Sequence, residues 1–124
     1  MSIDLTAGFD AAQRVMDFTT ARARALNTNL AHASEPGYHR VDVDFAALAK
    51  ALREEEPAKR ERALARAAPR AEVDAEAPAG VNDNSVNFER EQIQSDKNGL
   101  IHQLATLMVS AQLQQLRAAI TGRP

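Results

Sequence analysis

The sequence predicts an all-α fold: two long terminal helices packing as a coiled coil, joined by a partly flexible middle region with one short helix. Three observations point to it. The apolar share is 44%, but only 4% of the residues are aromatic and there is no tryptophan. Alanine and leucine therefore dominate, and these favour helix, where a β-sandwich wants β-branched and aromatic residues. Apolar residues near the N-terminus repeat with heptad spacing, and the C-terminal stretch is long and almost uncharged. At 124 residues the chain has room for one small domain and not for two independent cores.

The first helix is expected over residues 4–33. Leu5, Phe9, Ala12, Met16, Thr19, Ala23, Leu26, Leu30 and Ala33 follow one another at alternating steps of 4 and 3, a heptad seam with one threonine in it. Asp10, Arg14, Asp17, Arg22 and Arg24 lie off the seam and are expected toward solvent. A helix of that length spans about 45 Å, long for so small a domain, and calls for a long partner. Ser34-Glu35-Pro36-Gly37-Tyr38 ends it, with Pro36 and Gly37 at the centre of an expected type II turn.

Residues 34–86 form the middle. Val41-Asp42-Val43-Asp44-Phe45 alternates as a short extended piece does. Asp44 is placed to cap a short helix with Phe45, Leu48, Ala49 and Leu52 on one face. Residues 54–80 are rich in Ala, Arg and Glu, poor in large apolar residues and broken by Pro57, Pro69 and Pro78. Such a stretch is expected to be flexible, with transient helix over 59–68. Val81-Asn82-Asp83-Asn84-Ser85 is a turn cluster.

The last helix is expected over 87–121, with Asn87 as N-cap, Glu89 and Glu91 near the positive end of its dipole and Gly122 as its stop. Gly99 alone does not break it, since one interior glycine costs only about 1 kcal/mol. From Leu100 to Thr121 the only formal charge is Arg117. Leu100, Leu104, Leu107 and Ala111 fall on one face, and Val109, Leu113, Leu116 and Ile120 on roughly the opposite one. One seam is expected against the first helix. The other requires a partner outside the chain, because a helix apolar on two sides is buried on two sides. The glutamines at 103, 112, 114 and 115 argue against a membrane helix.

Little in the chain calls for chemistry. The formal net charge of −2 favours neither nucleic acid nor an anionic membrane, and the absence of cysteine excludes disulfides and thiol chemistry. His32, His39 and His102 lack metal-ligand spacing, Glu54-Glu55-Glu56 reads as a solvated run, and no glycine-rich loop cradles phosphate. Arg60, Arg62, Arg66 and Arg70 are diluted by acids and lack aromatics between them. No catalytic, cofactor or metal site is expected. No apolar run spans a bilayer, and Met1–Leu5 has neither the basic nor the apolar region of a Sec-type signal peptide. Composition by itself points to the cytoplasm.

Two segments carry a family resemblance. Residues 26–38, Leu26-Asn27-Thr28-Asn29-Leu30-Ala31-His32-Ala33-Ser34-Glu35-Pro36-Gly37-Tyr38, followed by Val41-Asp42-Val43-Asp44-Phe45, resemble the N-terminal signature of flagellar rod and hook axial proteins. Asn84-Ser85-Val86-Asn87-Phe88-Glu89-Arg90-Glu91, with Asn98, Leu100 and Gln103 beyond it, is similar to the second motif of the FlgB-type proximal rod family. Together with the helices, the match covers roughly the first 45 and last 45 residues. His32, the pair Ser34-Glu35 and Asp83 depart from the usual pattern. The resemblance implies a non-enzymatic subunit of the periplasmic rod of the basal body, exported without a cleaved signal through the flagellar type III apparatus. It implies self-association and, as partners, the rod proteins FlgC, FlgF and FlgG and the basal-body protein FliE. Matching the motif, Asn29, Pro36, Gly37 and Tyr38 are expected to shape the turn and touch adjacent subunits. Leu104, Leu107, Leu113, Leu116 and Ile120 are expected to make helix contacts between subunits. The competing readings are another axial protein such as FlgC and a soluble helical export chaperone or adaptor.

Overall fold

The computed structural model describes residues 5–122, with side chains from Gly8 onward. Asp4, the expected first helical residue, and the side chain of Leu5 lie outside the described residues. The fold is mostly helical. Its elements are α1 (Leu5–Ala31), β1 (Val41–Val43), α2 (Ala46–Arg53), α3 (Pro57–Arg66), β2 (Ala71–Val73) and α4 (Phe88–Thr121). The two strands pair antiparallel, with Val41 opposite Val73 and Val43 opposite Ala71. The described residues include no helix long and apolar enough to cross a membrane.

Helix α1 is central because it buries two faces. Ala12, Thr19 and Leu26, seven residues apart and all on the expected seam, are buried toward α4. Phe18 and Ala25, also seven apart, are buried on the neighbouring face against Val43, Leu48, Ala51, Leu64 and Ala67. Phe45 meets Phe18 edge to face at 5.3 Å between ring centroids, the geometry the ring quadrupoles favour.

That second face corrects the expectation for residues 54–80. The stretch forms α3 and β2 and packs on α1. Pro57 starts α3 at a position where its missing N–H costs nothing. The Arg14 guanidinium, expected toward solvent, donates to the Leu64 carbonyl at 2.9 Å. The segment has few large apolar residues of its own, but Leu64 and Ala67 reach a surface that α1 supplies.

Local signals are realised closely. The Asp44 carboxylate accepts the Ala46 N–H at the start of α2, and the Asn87 side chain accepts the Arg90 N–H at the start of α4. Gly122 ends α4 in the left-handed region, and α4 runs unbroken through Gly99.

The packing of α4 differs from expectation. It runs antiparallel along α1, with Glu91 near Asn29, Asn98 and His102 near Thr19, and Gln112 near Gly8. The seam through Leu100, Leu104, Leu107 and Ala111 faces away from α1, and of the opposite seam only Val109 is half-buried against it. The residues turned toward it are Glu91, Asn98, Ala105 and Gln112, again seven apart, with Ser95, His102 and Val109 half-buried beside them. Of these only Ala105 is both apolar and fully buried. Leu100, Leu104 and Leu107 are more than 60% exposed.

Candidate functional site

The two motif segments meet where α1 ends and α4 begins. Asn29 lies in the last turn of α1, two residues before its end, and is fully buried. Its side-chain amide donates to the Val41 carbonyl at 2.7 Å and to Glu91 Oε2 at 3.1 Å. Its oxygen accepts the Val41 N–H at 2.9 Å and the Tyr38 hydroxyl at 3.1 Å. All four hydrogen-bonding positions of the amide are used. Asn29 therefore pairs with Val41 as a neighbouring strand would, and so fixes β1 against α1.

The Glu91 carboxylate reaches the same point from the first turn of α4. It is 2% exposed and accepts from Arg40 Nε at 2.6 Å. Arg40 also donates to Asp74 at 2.6 Å and to Asp42 at 3.0 Å. Arg22 of α1 holds Asp42 from its other side at 2.9 Å and reaches Gln94 of α4. Burial opposes the Arg40 charge, but its hydrogen bonds to Glu91, Asp42 and Asp74 outweigh it and raise its pKa. Burial likewise pushes Asp42 up, yet the hydrogen bonds from Arg22, the Val43 amide and Arg40 prevail and hold it below the ordinary carboxylate value. Burial, with the charges of Glu35 and Glu91 nearby, raises the Tyr38 pKa.

Asn84 closes the end of α1. Its side-chain amide, with two N–H groups shared among three acceptors, lies 2.7–3.1 Å from the carbonyls of His32, Ala33 and Glu35 in the turn that follows the helix. Its oxygen accepts the Val86 N–H. Ser85 pairs with the strand entry: its N–H donates to the Tyr38 carbonyl, and its hydroxyl accepts the Arg40 N–H. The turn before it has Asn82 and Asp83 both at positive φ, which asparagine and aspartate tolerate best among residues with a side chain. Pro36 and Gly37 form the expected type II turn. Gly37 sits at φ +74°, the Tyr38 N–H donates to the Glu35 carbonyl at 3.4 Å, and the Gly37 N–H donates to the Asn82 carbonyl.

An open cleft of about 590 Å³ lies over this network, lined by Arg22, Arg40, Asp42, Asp74, Arg90 and Gln94 among others. The guanidiniums on its floor, Arg22 and Arg40, are already bound to carboxylates. Among the described residues no group of His, Asp and Glu is placed to hold a metal.

Of the residues singled out from the sequence, Asn29 and Tyr38 lie inside the network. The Tyr38 ring also stacks on His32 at 4.8 Å. Pro36 and Gly37 are exposed on the turn beside it. Leu104, Leu107, Leu113, Leu116 and Ile120 are exposed along α4, Ile120 at 78%. Sequence reasoning missed Arg22, Arg40 and Asp74 as partners of the junction, and took Glu91 for a helix-dipole residue. Their partners lie far away along the chain, and no spacing announces them.

No protein-family model matches the chain, and no curated protein is significantly similar to it.

Proposed function

We propose that the chain is a structural subunit of the bacterial flagellar basal-body rod, of the FlgB proximal-rod type, and that it works by assembly and not by catalysis. In this reading its terminal helices act as a coiled-coil unit within the rod. The observation that carries it is the orientation of α4. The helix turns a polar stripe toward its own chain and exposes Leu100, Leu104, Leu107, Leu113, Leu116 and Ile120. An apolar surface of that extent on a small soluble chain marks an interaction site. The two segments that resemble the rod-family motifs also share one hydrogen-bonded junction, as expected of segments with a common structural role. The proposed setting is the periplasmic rod, reached through the flagellar type III export apparatus, with FlgC, FlgF, FlgG and FliE as neighbours.

The test is complementation. The gene is deleted in its host and restored as wild type or with Leu104→Asp plus Leu116→Asp, and swimming and isolated basal bodies are scored. We expect the deletion to lack rods and the double variant to be expressed without restoring them. A deletion strain that still builds basal bodies and swims overturns the reading.

One observation favours a second reading, a soluble helical export chaperone or adaptor. Residues 54–80 pack on α1, and an ordered middle suits a chaperone better than an isolated rod subunit. Limited proteolysis of the purified chain separates the two readings. A chaperone resists cleavage throughout, whereas a rod subunit awaiting its neighbours is cut in its terminal helices.

A further inference from the structure

The two edges of the β1–β2 sheet differ. On the outer edge of β1, the Val41 N–H and carbonyl are both taken by the Asn29 amide. Between the strands, the Asp74 N–H donates to the Arg40 carbonyl at 2.9 Å. Residues of an antiparallel pair alternate between bonding across the ladder and turning their backbone groups away from it. Asp42 and Glu72 therefore bond across, and the backbone groups of Ala71 and Val73 point out along the far edge of β2. No group among the described residues takes them. All three residues of β2 are exposed, Val73 at 60%. Such an edge is a template for a further strand. The side-chain alternation, continued back by one residue, puts Arg70 and Glu72 on one face and Ala71 and Val73 on the other. Arg70 and Glu72 are exposed, and neither makes an ion pair among the described residues.

We propose that β2 pairs antiparallel with β2 of a second copy of the chain, about a twofold axis at Ala71, so that the two sheets join into one of four strands. Charge selects this register. With Ala71 opposite Ala71, Arg70 of each copy faces Glu72 of the other, and the contact occurs twice. A ladder centred on Glu72 sets the two glutamates against each other. One centred on Val73 sets Glu72 against Asp74 and runs into the turn where the Ala77 N–H donates to the Asp74 carbonyl. In the Ala71 register the two Ala71 residues exchange both their bonds, and each Val73 N–H donates to the Pro69 carbonyl of the other copy. Pro69, which has no N–H to give, stands at the end of the ladder, where proline is tolerated. Its ring lies on the same face as the exposed Val73 across from it. The surface is distinct from the leucine face of α4. A twofold pair also closes on itself, whereas a rod grows by a contact repeated head to tail. The pair is thus a form of the chain before assembly.

The test uses the full chain with Leu104→Asp and Leu116→Asp, which removes any association through α4. The sequence has no cysteine, so single-cysteine variants report the register. Ala71→Cys and Val73→Cys, mixed in equal amounts and oxidised, should give mainly 71–71 disulfides, since those Cα atoms stand about 5.5 Å apart, within disulfide span. A predominance of 71–73 or 73–73 disulfides means another register and overturns the proposal. A contact this small is weak, so sedimentation equilibrium is run up to about 1 mM. Arg70→Glu should weaken the pair roughly tenfold, as should Glu72→Arg, and both changes in one chain should restore it. Ala71→Pro removes an N–H that nothing in the chain uses, so circular dichroism should be unchanged while pairing is lost. A chain with the native strand that stays monomeric at that concentration overturns the proposal. So does an Arg70→Glu or Ala71→Pro chain that pairs as tightly as its parent. None of these outcomes bears on the rod reading, whose complementation test reads the α4 leucines and leaves β2 intact.

Discussion

The two ends of the α1–α4 pair are built differently. Where α1 stops and α4 starts, the buried polar groups find partners within the chain: Asn29 makes four hydrogen bonds, Asn84 caps three carbonyls, and Glu91 sits against Arg40. Farther along the same heptad positions of α4, Asn98 Oδ1 and Gln112 Oε1 are buried with no partner among the described residues. Beyond Gln112, Leu113, Leu116 and Ile120 stand exposed. One end is thus completed by the chain itself, and along the other, among the described residues, polar atoms are left unpaired and leucines exposed. A polar seam fixes the register of two helices at some expense of stability. The junction therefore sets where α4 lies, and the far end is left as the part most easily separated or re-paired.

The sharpest way to break this contrast is at Glu91. Truncation to alanine leaves the buried Arg40 guanidinium without its most buried partner, and removing one member of a buried pair costs about 3–5 kcal/mol. We expect Glu91→Ala to lower the unfolding free energy read from a urea titration by that amount, without a comparable effect from a truncation beyond Gln112. Replacing both partners, Arg40→Met with Glu91→Leu, should recover most of the loss, since no charge is then stranded. A loss under about 1 kcal/mol for Glu91→Ala would mean that Asp42 and Asp74 suffice to hold Arg40. Asn29→Ala comes next. It orphans the Val41 N–H and carbonyl in a buried place, at about 1–3 kcal/mol. The same urea titration checks it.

Much of this architecture was legible in the sequence, and the parts that were not share one cause. The α1 seam through Ala12, Thr19 and Leu26, the type II turn at Pro36-Gly37, the Asn87 cap and the Gly122 stop all follow from residues close together in the chain. The ordered middle was not legible, because its stability depends on Phe18 and Ala25 presenting a second face of α1. Nor was the side on which α4 packs. Leucine periodicity identifies an apolar stripe but does not say whether its partner is in the same chain, and the polar stripe through Glu91 and Asn98 was the one turned inward. Asn29 and Tyr38 were found through the motif. Arg40, two residues beyond Tyr38 and between the two parts of the motif, gave no local sign that it would pair with a glutamate of α4.

A smaller effect is expected from acid. Asp42 has its pKa lowered from 3.8, on balance, by the hydrogen bonds from Arg22, the Val43 amide and Arg40. A group depressed in the folded state contributes stability above its unfolded pKa, and that contribution is lost as the pH falls through the folded value. Stability at this end should therefore be level near neutrality and decline once the pH drops below about 3.8, the ordinary value for the group. Asp42→Asn should be less stable than wild type at pH 7 and should flatten the decline. Parallel slopes for the two proteins would place the acid sensitivity elsewhere.

The smallest effect is expected at Gln112, where the far end can be improved. Its Oε1 is buried without a partner among the described residues, while its amide nitrogen lies close to Gly8 of α1. Leucine removes the unpaired oxygen and places a shorter apolar group beside a glycine. The relief from an unsatisfied polar atom, about 1–3 kcal/mol, is offset by imperfect filling of the longer side chain's space. We expect Gln112→Leu to change stability by less than about 1 kcal/mol, toward the stable side, in the same urea titration. The comparison lies in the sign, since every truncation at the junction should destabilise. If Gln112→Leu also costs more than about 1 kcal/mol, an ordered water already satisfies its oxygen. The far end would then be as completely hydrogen-bonded as the junction, and the asymmetry between the two ends would rest on the exposed leucines alone.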